Sequence, residues 1–344
     1  MANSPLVEVK NLSVSFPVSG GIMGRKVAEV KAVDDISFSI GKSEIVGLVG
    51  ESGCGKTTVG RAMINILKYI VPDVEVGGKI LYHFDGEDVD FNMLHSRRMG
   101  KYRSRVQMIF QDPYASLNPR MTVSQIVEEP LKIHTELKGS QRREKVITLL
   151  EKVGLREDQA GRFPHEFSGG QRQRVGIARA LAPSPDLIIC DEPVSALDVS
   201  IQAQVINLMV DLQKEFDVSF LFIAHDLSVV EHISDKIAVM YLGNLVEFGE
   251  SKQVYHHPRH PYSKALLSAV PVPDPKKKNR QRIVLKGDVP TPMNKPSGCS
   301  FRTRCPQAES SCADHVPIFE THAPEHWVAC PIVKETNEVK LNEV

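Results

Sequence analysis

No stretch of this chain approaches the about 18 consecutive apolar residues that a membrane-crossing helix needs. The opening residues, Met1 to Pro5, contain no basic segment leading into an apolar core. No secretory signal is therefore expected, and the chain is expected in the cytosol. Neither charge is in surplus: 42 Lys and Arg balance 42 Asp and Glu. That balance speaks against nucleic acid or an anionic membrane surface as the main partner. The sequence shows no internal repeat, no sustained heptads and none of the short C-x2-C knuckles of common zinc ribbons. What remains, at 344 residues, 42% hydrophobic and 24% charged, is an ordinary globular composition for one large domain or two modest ones.

What is present is a complete phosphate-binding loop. Residues Gly50 to Thr57 read G-E-S-G-C-G-K-T. They follow the apolar run Glu44 to Val49 and precede Val59 to Ile64, which has helical spacing. Strand, glycine loop and helix in that order turn a helix N-terminus into an anion site. Gly50, Gly53 and Gly55 let the backbone curl so that its N–H groups point at phosphate oxygens. Ser52, Cys54 and Thr58 belong to the same nucleotide cradle. Lys56 is expected to reach the outer phosphates, and Thr57 to offer its hydroxyl to Mg²⁺.

Leu187 to Glu192 is a short apolar run ending in two carboxylates. A buried parallel strand looks like this, with active groups at its carboxyl end. Asp191 suits a Mg²⁺-holding role, and Glu192 could take a proton from water. Alone, such a pair reads as a solvated acidic turn; the upstream phosphate loop favours a site. Between the two lies Phe167-Ser168-Gly169-Gly170-Gln171, followed by a run with helical apolar spacing. Ser168 is a good N-cap, and Gly169 with Gly170 makes a second phosphate-binding helix start. Ser195 to Asp198 follow the acidic strand, and His225 ends another apolar run, Ser219 to Ala224.

These segments, in this order, resemble the ATPase subunits of ABC transporters. Walker A is Gly50 to Thr57, the Q-loop glutamine is Gln111, and the signature is Ser168 to Gln171. Walker B is Leu187 to Asp191, the D-loop is Ser195 to Asp198, and the switch histidine is His225. Phe167 stands where the widest consensus has Leu, which is a packing change. The resemblance covers about the first 250 residues. It implies an α/β fold: a P-loop NTPase (RecA-like) core, an antiparallel β subdomain and a helical subdomain. It also implies a head-to-tail dimer in which Walker A of one subunit faces the signature of the other. Gln111 would then contact Mg²⁺ and the attacking water, His225 would steady the γ-phosphate, and Asp198 would touch the opposite subunit. Pro258 to Leu267 and Gly298 to Pro331 further resemble the C-terminal extension of oligopeptide/dipeptide permease ATPases, with Gln171 and Cys190 to Gln204 resembling the F-type subunit. The partners so implied are a second ATPase of the D type, two membrane-spanning permease subunits and an extracytoplasmic solute-binding protein, with this chain peripheral at the cytoplasmic face of the membrane. Two other classes compete: a non-transport ABC ATPase acting on DNA, and an iron-responsive regulator with a vestigial ATPase. The short interval from Walker A to the signature weighs against the first, and intact Glu192 and His225 against the second.

The expected division is 1–253 for the nucleotide-binding domain, with its helical part at about 113–180, and 254–344 for a Cys-rich extension. Leu6 to Phe16 and Ala32 to Ile40 alternate as half-buried strands do, around a turn at Gly20 to Gly24. Phe16 is the candidate for stacking on adenine; an ordinary strand aromatic is the alternative. Ser140 to Val153 and Ile201 to Phe216 read as helices, and Ile237 to Met240 as a strand. The Lys276 to Lys278 run reads as a solvated linker.

Cys54 is either a small filler or an oxidation-sensitive thiol, and Cys190 a small hydrophobe in a buried strand. Cys299, Cys305, Cys312 and Cys330 are spaced C-x5-C-x6-C-x17-C. Clustered thiols in a cytosolic chain argue for metal over disulfides. A [4Fe–4S] cluster is expected, favoured by the permease resemblance, with one Zn²⁺ or free thiols as alternatives. His315, His322 and His326 are substitute ligands expected to face solvent. The metal would staple a loop-rich tail too poor in apolar residues to form its own core.

Overall fold

The computed structural model describes residues 5–20, 25–270 and 283–333. The Lys276 to Lys278 run and most of the Gly20 to Gly24 turn lie outside them. The strands are β1 (Val7–Gly20), β2 (Arg25–Ile40), β3 (Ile45–Val49), β4 (Glu75–Phe84), β5 (Glu87–Asp90) and β6 (Val106–Ile109). They continue as β7 (Leu187–Asp191), β8 (Ser219–Ala224), β9 (Lys236–Tyr241), β10 (Asn244–Glu250), β11 (Glu320–Ala323) and β12 (His326–Val328). They form two sheets, in the orders β2-β1-β4-β5 and β11-β12-β10-β9-β3-β8-β7-β6.

The second sheet positions the candidate site. Its strands β9, β3, β8, β7 and β6 run parallel. Every residue of β3, β7 and β8 is buried, as continuous Val, Ile, Leu and Phe runs require of strands covered on both faces. In open parallel sheets ligands bind beyond the carboxyl ends of the strands, and Gly50, Glu192 and His225 stand at the carboxyl ends of β3, β7 and β8. The antiparallel sheet closes one apolar core with the helix Lys56–Met63, through Val7, Leu12, Ile36 and Ile40 against Val59 and Met63. The other core lies under the helices Val123–His134, Gly139–Lys152 and Gly169–Leu181. Thr122 starts the first of these by a reciprocal capping box with Gln125. Buried Val127, Leu131, Val146 and Leu150 join that helix to the next.

The tail is not a loop in need of a staple. Strand β12 pairs antiparallel with β10 at Phe248 and Trp327, and β11 pairs with β12, so the tail extends the edge of the eight-stranded sheet. Buried Glu247 accepts from the Arg259 and His260 backbone N–H groups at 2.7 and 3.0 Å, and its Oε1 lies 2.7 Å from Nε2 of His326. His326, expected to face solvent, is buried by this contact. Phe301 packs edge-on against Tyr241 and Tyr262.

The four cysteines do not form the expected iron–sulfur cluster or the alternative zinc site. Cys299, Cys305, Cys312 and Cys330 are free thiols, and no group of three or more His, Cys, Asp or Glu among the described residues is placed to hold a metal ion. Burial pushes the Cys299 thiol up to about 11 and raises those of Cys305 and Cys330, with the neighbouring thiols adding to it. The Cys299 backbone N–H donates to the Cys312 carbonyl at 2.8 Å. The spacing placed thiols near one another, but the stabilisation comes from borrowed core and sheet edge.

Candidate active site

The phosphate loop runs from the end of β3 to the helix Lys56–Met63. Gly55, its N-cap, has φ 107°, and a Cβ there would lie 2.3 Å from the Ala32 carbonyl oxygen of β2. Only glycine serves at that point. Lys56 is buried, and its Nζ donates to the Gly50 and Glu51 carbonyls at 2.7 and 3.1 Å, pulling the loop into a ring. Cys54 is buried, with Sγ 3.9 Å from Lys56 Nζ. Burial raises its pKa against the pull of Lys56, so the thiol is a protonated filler. Ser52 and Gly53 are exposed, while Thr57 and Thr58 are half-buried in the first turn.

Thr57 Oγ1 donates to Asp191 Oδ1 at 2.8 Å, so Walker A and Walker B meet through an oxygen pair. Hydroxyl and carboxylate oxygens are what a hard divalent cation takes. Burial raises the Asp191 pKa, countered by the Thr57 hydrogen bond and the Arg61 charge. A bound cation would compensate that buried charge. Glu192, one residue on, has φ 45°. Its N–H donates to the Ile223 carbonyl of β8 at 3.0 Å. Gln111 Nε2 donates to Glu192 Oε2 at 2.9 Å, and His225 Nδ1 lies 3.9 Å from the same oxygen. Gln111, Glu192 and His225 thus converge. His225 is 63% exposed, free to turn toward a phosphate.

The signature helix Gly169–Leu181 starts with a capping box: Ser168 Oγ accepts from Gln171 N at 3.3 Å, and Gln171 Oε1 from Ser168 N at 3.0 Å. The Gln171 side-chain oxygen is therefore committed to its own helix. Ser168 and Gly169 are exposed, whereas Gly170 is buried with its would-be Cβ 2.5 Å from Ile201. That contact joins the signature to the helix Val199–Phe216, whose N-cap is Asp198 through Ile201 N at 3.0 Å. Arg172 stacks over Tyr114 at 4.8 Å, and Arg179 donates to the Ser116 carbonyl at 2.6 Å, tying the segment after Gln111 to the signature helix. Phe167 is buried in the same core. Phe16 is half-buried on β1, opposite Val30.

Comparison with known proteins agrees. Residues 33–195 match the ABC transporter family model, and residues 246–312 that of the oligopeptide/dipeptide transporter C-terminal region. The chain is 53% identical over 326 residues to the oligopeptide transport ATP-binding protein AppF of Bacillus subtilis, covering 94% of this chain and 96% of that one. This chain belongs to the ATP-binding subunits of ABC transporters. The oligopeptide transport ATP-binding protein OppF of Haemophilus influenzae is 50% identical over 329 residues, covering 94% and 96% of the two chains. Among solved structures, the dimeric ATP-binding cassette MJ0796 in a post-hydrolysis state bound to ADP and Pi matches with TM-score 0.59 and 27% identity, over 71% of this chain and 98% of that one. The cassette cbiO1 of Clostridium perfringens matches with TM-score 0.60 and 26% identity, over 74% and 92%. The subunit is an ATPase, and ATP with Mg²⁺ is its nucleotide.

Two residues at the ABC phosphate loop escaped the sequence analysis. Tyr262 accepts from the Glu51 N–H at 2.8 Å, and Arg304 pairs with the Glu51 carboxylate at 2.7 Å. Each is more than 200 positions from the loop, in a segment marked only by its family likeness, so spacing offered no signal. Among the described residues, no helix of the subunit is long and apolar enough to cross a membrane.

Proposed function

We propose that this ATPase powers the import of oligopeptides or dipeptides through separate membrane-spanning subunits. The observation that carries this is the match of both the cassette and the tail, over nearly the whole chain, to oligopeptide transport ATP-binding proteins. Residues 1–253 act as the nucleotide-binding domain, with 113–180 as its helical part, and 254–344 as the extension. Lys56 binds the outer phosphates; Thr57, Asp191 and Gln111 hold Mg²⁺. Gly50, Ser52, Gly53, Cys54, Gly55 and Thr58 complete the cradle, and Phe16 stacks on adenine. Glu192 accepts a proton from the attacking water, which Gln111 orients by its contact with the same carboxylate. His225 steadies the γ-phosphate. Exposed Ser168 and Gly169, with Gly170, serve the nucleotide of a facing subunit at a helix N-terminus. Gln171 supports them by fixing that terminus, and Asp198 sits at the same face. Two nucleotides then close a head-to-tail dimer with a D-type partner, and hydrolysis lets it reopen.

Co-purification from native membranes tests this. The expected companions are a second ATPase, two permease subunits at whose cytoplasmic face this chain sits, and a peptide-binding extracytoplasmic protein. Deleting the chain should abolish uptake of a labelled peptide. Unchanged uptake in a strain with no paralogous permease would overturn the assignment.

A further inference from the structure

The phosphate loop is gripped from outside by the tail, and the grip falls on one residue. Arg304 Nη1 donates to Glu51 Oε2 at 2.7 Å and Nη2 to Oε1 at 3.1 Å, a two-pronged pair. The Glu51 backbone N–H donates to the Tyr262 hydroxyl at 2.8 Å. Neither tail residue is free to wander. The Arg304 side chain is only 9% exposed, and Tyr262 is buried against Tyr241 and Phe301. Glu51 passes the constraint inward: its carbonyl accepts from Cys54 N at 3.3 Å and from Lys56 Nζ at 3.1 Å. One residue therefore links the tail to the lysine that meets the phosphates.

We infer that Arg304 and Tyr262 are positioning residues for ATP binding, acting through Glu51 on the phosphate loop and Lys56. This rests on Gly50 to Thr57 being the ATP site. Two effects act together. The tail holds the loop in one conformation before the ligand arrives, which lowers the ordering cost of binding. Arg304 also neutralises a carboxylate that would otherwise stand, uncompensated, beside a polyanion. The tail is then part of the nucleotide site rather than an appendage to it.

Titration calorimetry with MgATP on the purified full chain tests this. Arg304→Ala should bind about tenfold more weakly and Tyr262→Phe a few-fold, as expected for a charged and a neutral hydrogen bond. Arg304→Lys should fall between, since lysine restores the charge without the fork. Adding Glu51→Gln to Arg304→Ala should recover part of the affinity, because the unpaired carboxylate is gone; a purely structural role for Arg304 gives no such recovery. In the assembled transporter, KM for ATP should rise while kcat at saturation holds. Wild-type affinity in both Arg304→Ala and Tyr262→Phe, with Lys56→Ala unable to bind, would overturn the clamp and leave the ATP site standing. Wild-type binding by Lys56→Ala would overturn the site, and the clamp with it. Should Arg304→Ala fail to fold, Tyr262→Phe, which loses a single oxygen, decides alone.

Discussion

Gln111 and Glu192 stand 81 positions apart in the chain and meet at 2.9 Å through amide and carboxylate. The contact bridges the ends of two neighbouring parallel strands, β6 and β7, and places the His225 ring 3.9 Å from the same oxygen. A carboxylate so held can receive a proton from water while the amide orients that water. Glu192→Gln keeps the size and the hydrogen-bonding reach but removes the base. ATP binding should survive, and turnover in the assembled transporter should fall by about 10²-fold or more. Steady-state phosphate release checks this. Near-wild-type rates would remove Glu192 from the mechanism.

Asp191 is buried beside Thr57, and burial raises its pKa above the ordinary carboxylate range. A raised carboxylate pKa means that the folded chain holds its proton more tightly than the unfolded one. Stability of the nucleotide-free protein is therefore lost as pH rises through the window between the two values, and the deficit persists at neutral pH. Asp191→Asn still accepts the Thr57 hydroxyl and carries no charge. It should melt higher than wild type without nucleotide at pH 7, yet gain less from MgATP and lose turnover. Calorimetric scans with and without MgATP read all but the last; a lower melting temperature for the apo variant would contradict the burial argument.

Ser168→Arg should leave MgATP binding by the isolated subunit within about twofold of wild type, because its cap serves a helix start remote from its own phosphate loop; loss of the cap costs about 1 kcal/mol of stability. The bulky cation should block closure against a facing nucleotide. ATP-dependent dimerisation of the Glu192→Gln background with the D-type partner, followed by light scattering, is the readout. Full dimerisation with arginine in place would remove Ser168 from the dimer face.

His260 is buried in the tail anchor, its Nδ1 accepting the Tyr262 N–H at 3.1 Å. Burial lowers its pKa from 6.5 to about 4, against the favourable charge of Glu247. The unfolded chain then binds the proton first as pH falls. Stability should decline between pH 6.5 and 4, with a slope of up to about 1.4 kcal/mol per pH unit from this group. His260→Asn retains an N-cap acceptor and does not titrate, so its melting temperature should depend less on pH across that window. Equal slopes for both proteins would discount His260.

Gly50 to Thr57, Ser168 to Gln171 and Leu187 to Glu192 were legible in the sequence because their chemistry needs contiguous backbone: a loop of N–H groups, a capped helix start, a strand with carboxylates at its end. The flanking Val, Ile and Leu runs fixed the buried parallel strands for the same local reason. Tertiary structure alone decided what depends on side chains meeting across the chain. It joined Thr57 to Asp191 and Gln111 to Glu192. It committed the Gln171 side chain to a capping box, and it buried His326 on Glu247. It laid strands β11 and β12, of four and three residues, on a sheet edge that their own short patterns could not announce. The cysteine spacing fixed how far apart four thiols lie along the chain but not where each points, and metal binding depends on the second. The tail folds onto Glu51 because the sheet edge and the Tyr241–Tyr262–Phe301 cluster carry it there, a relationship that no spacing within the tail records.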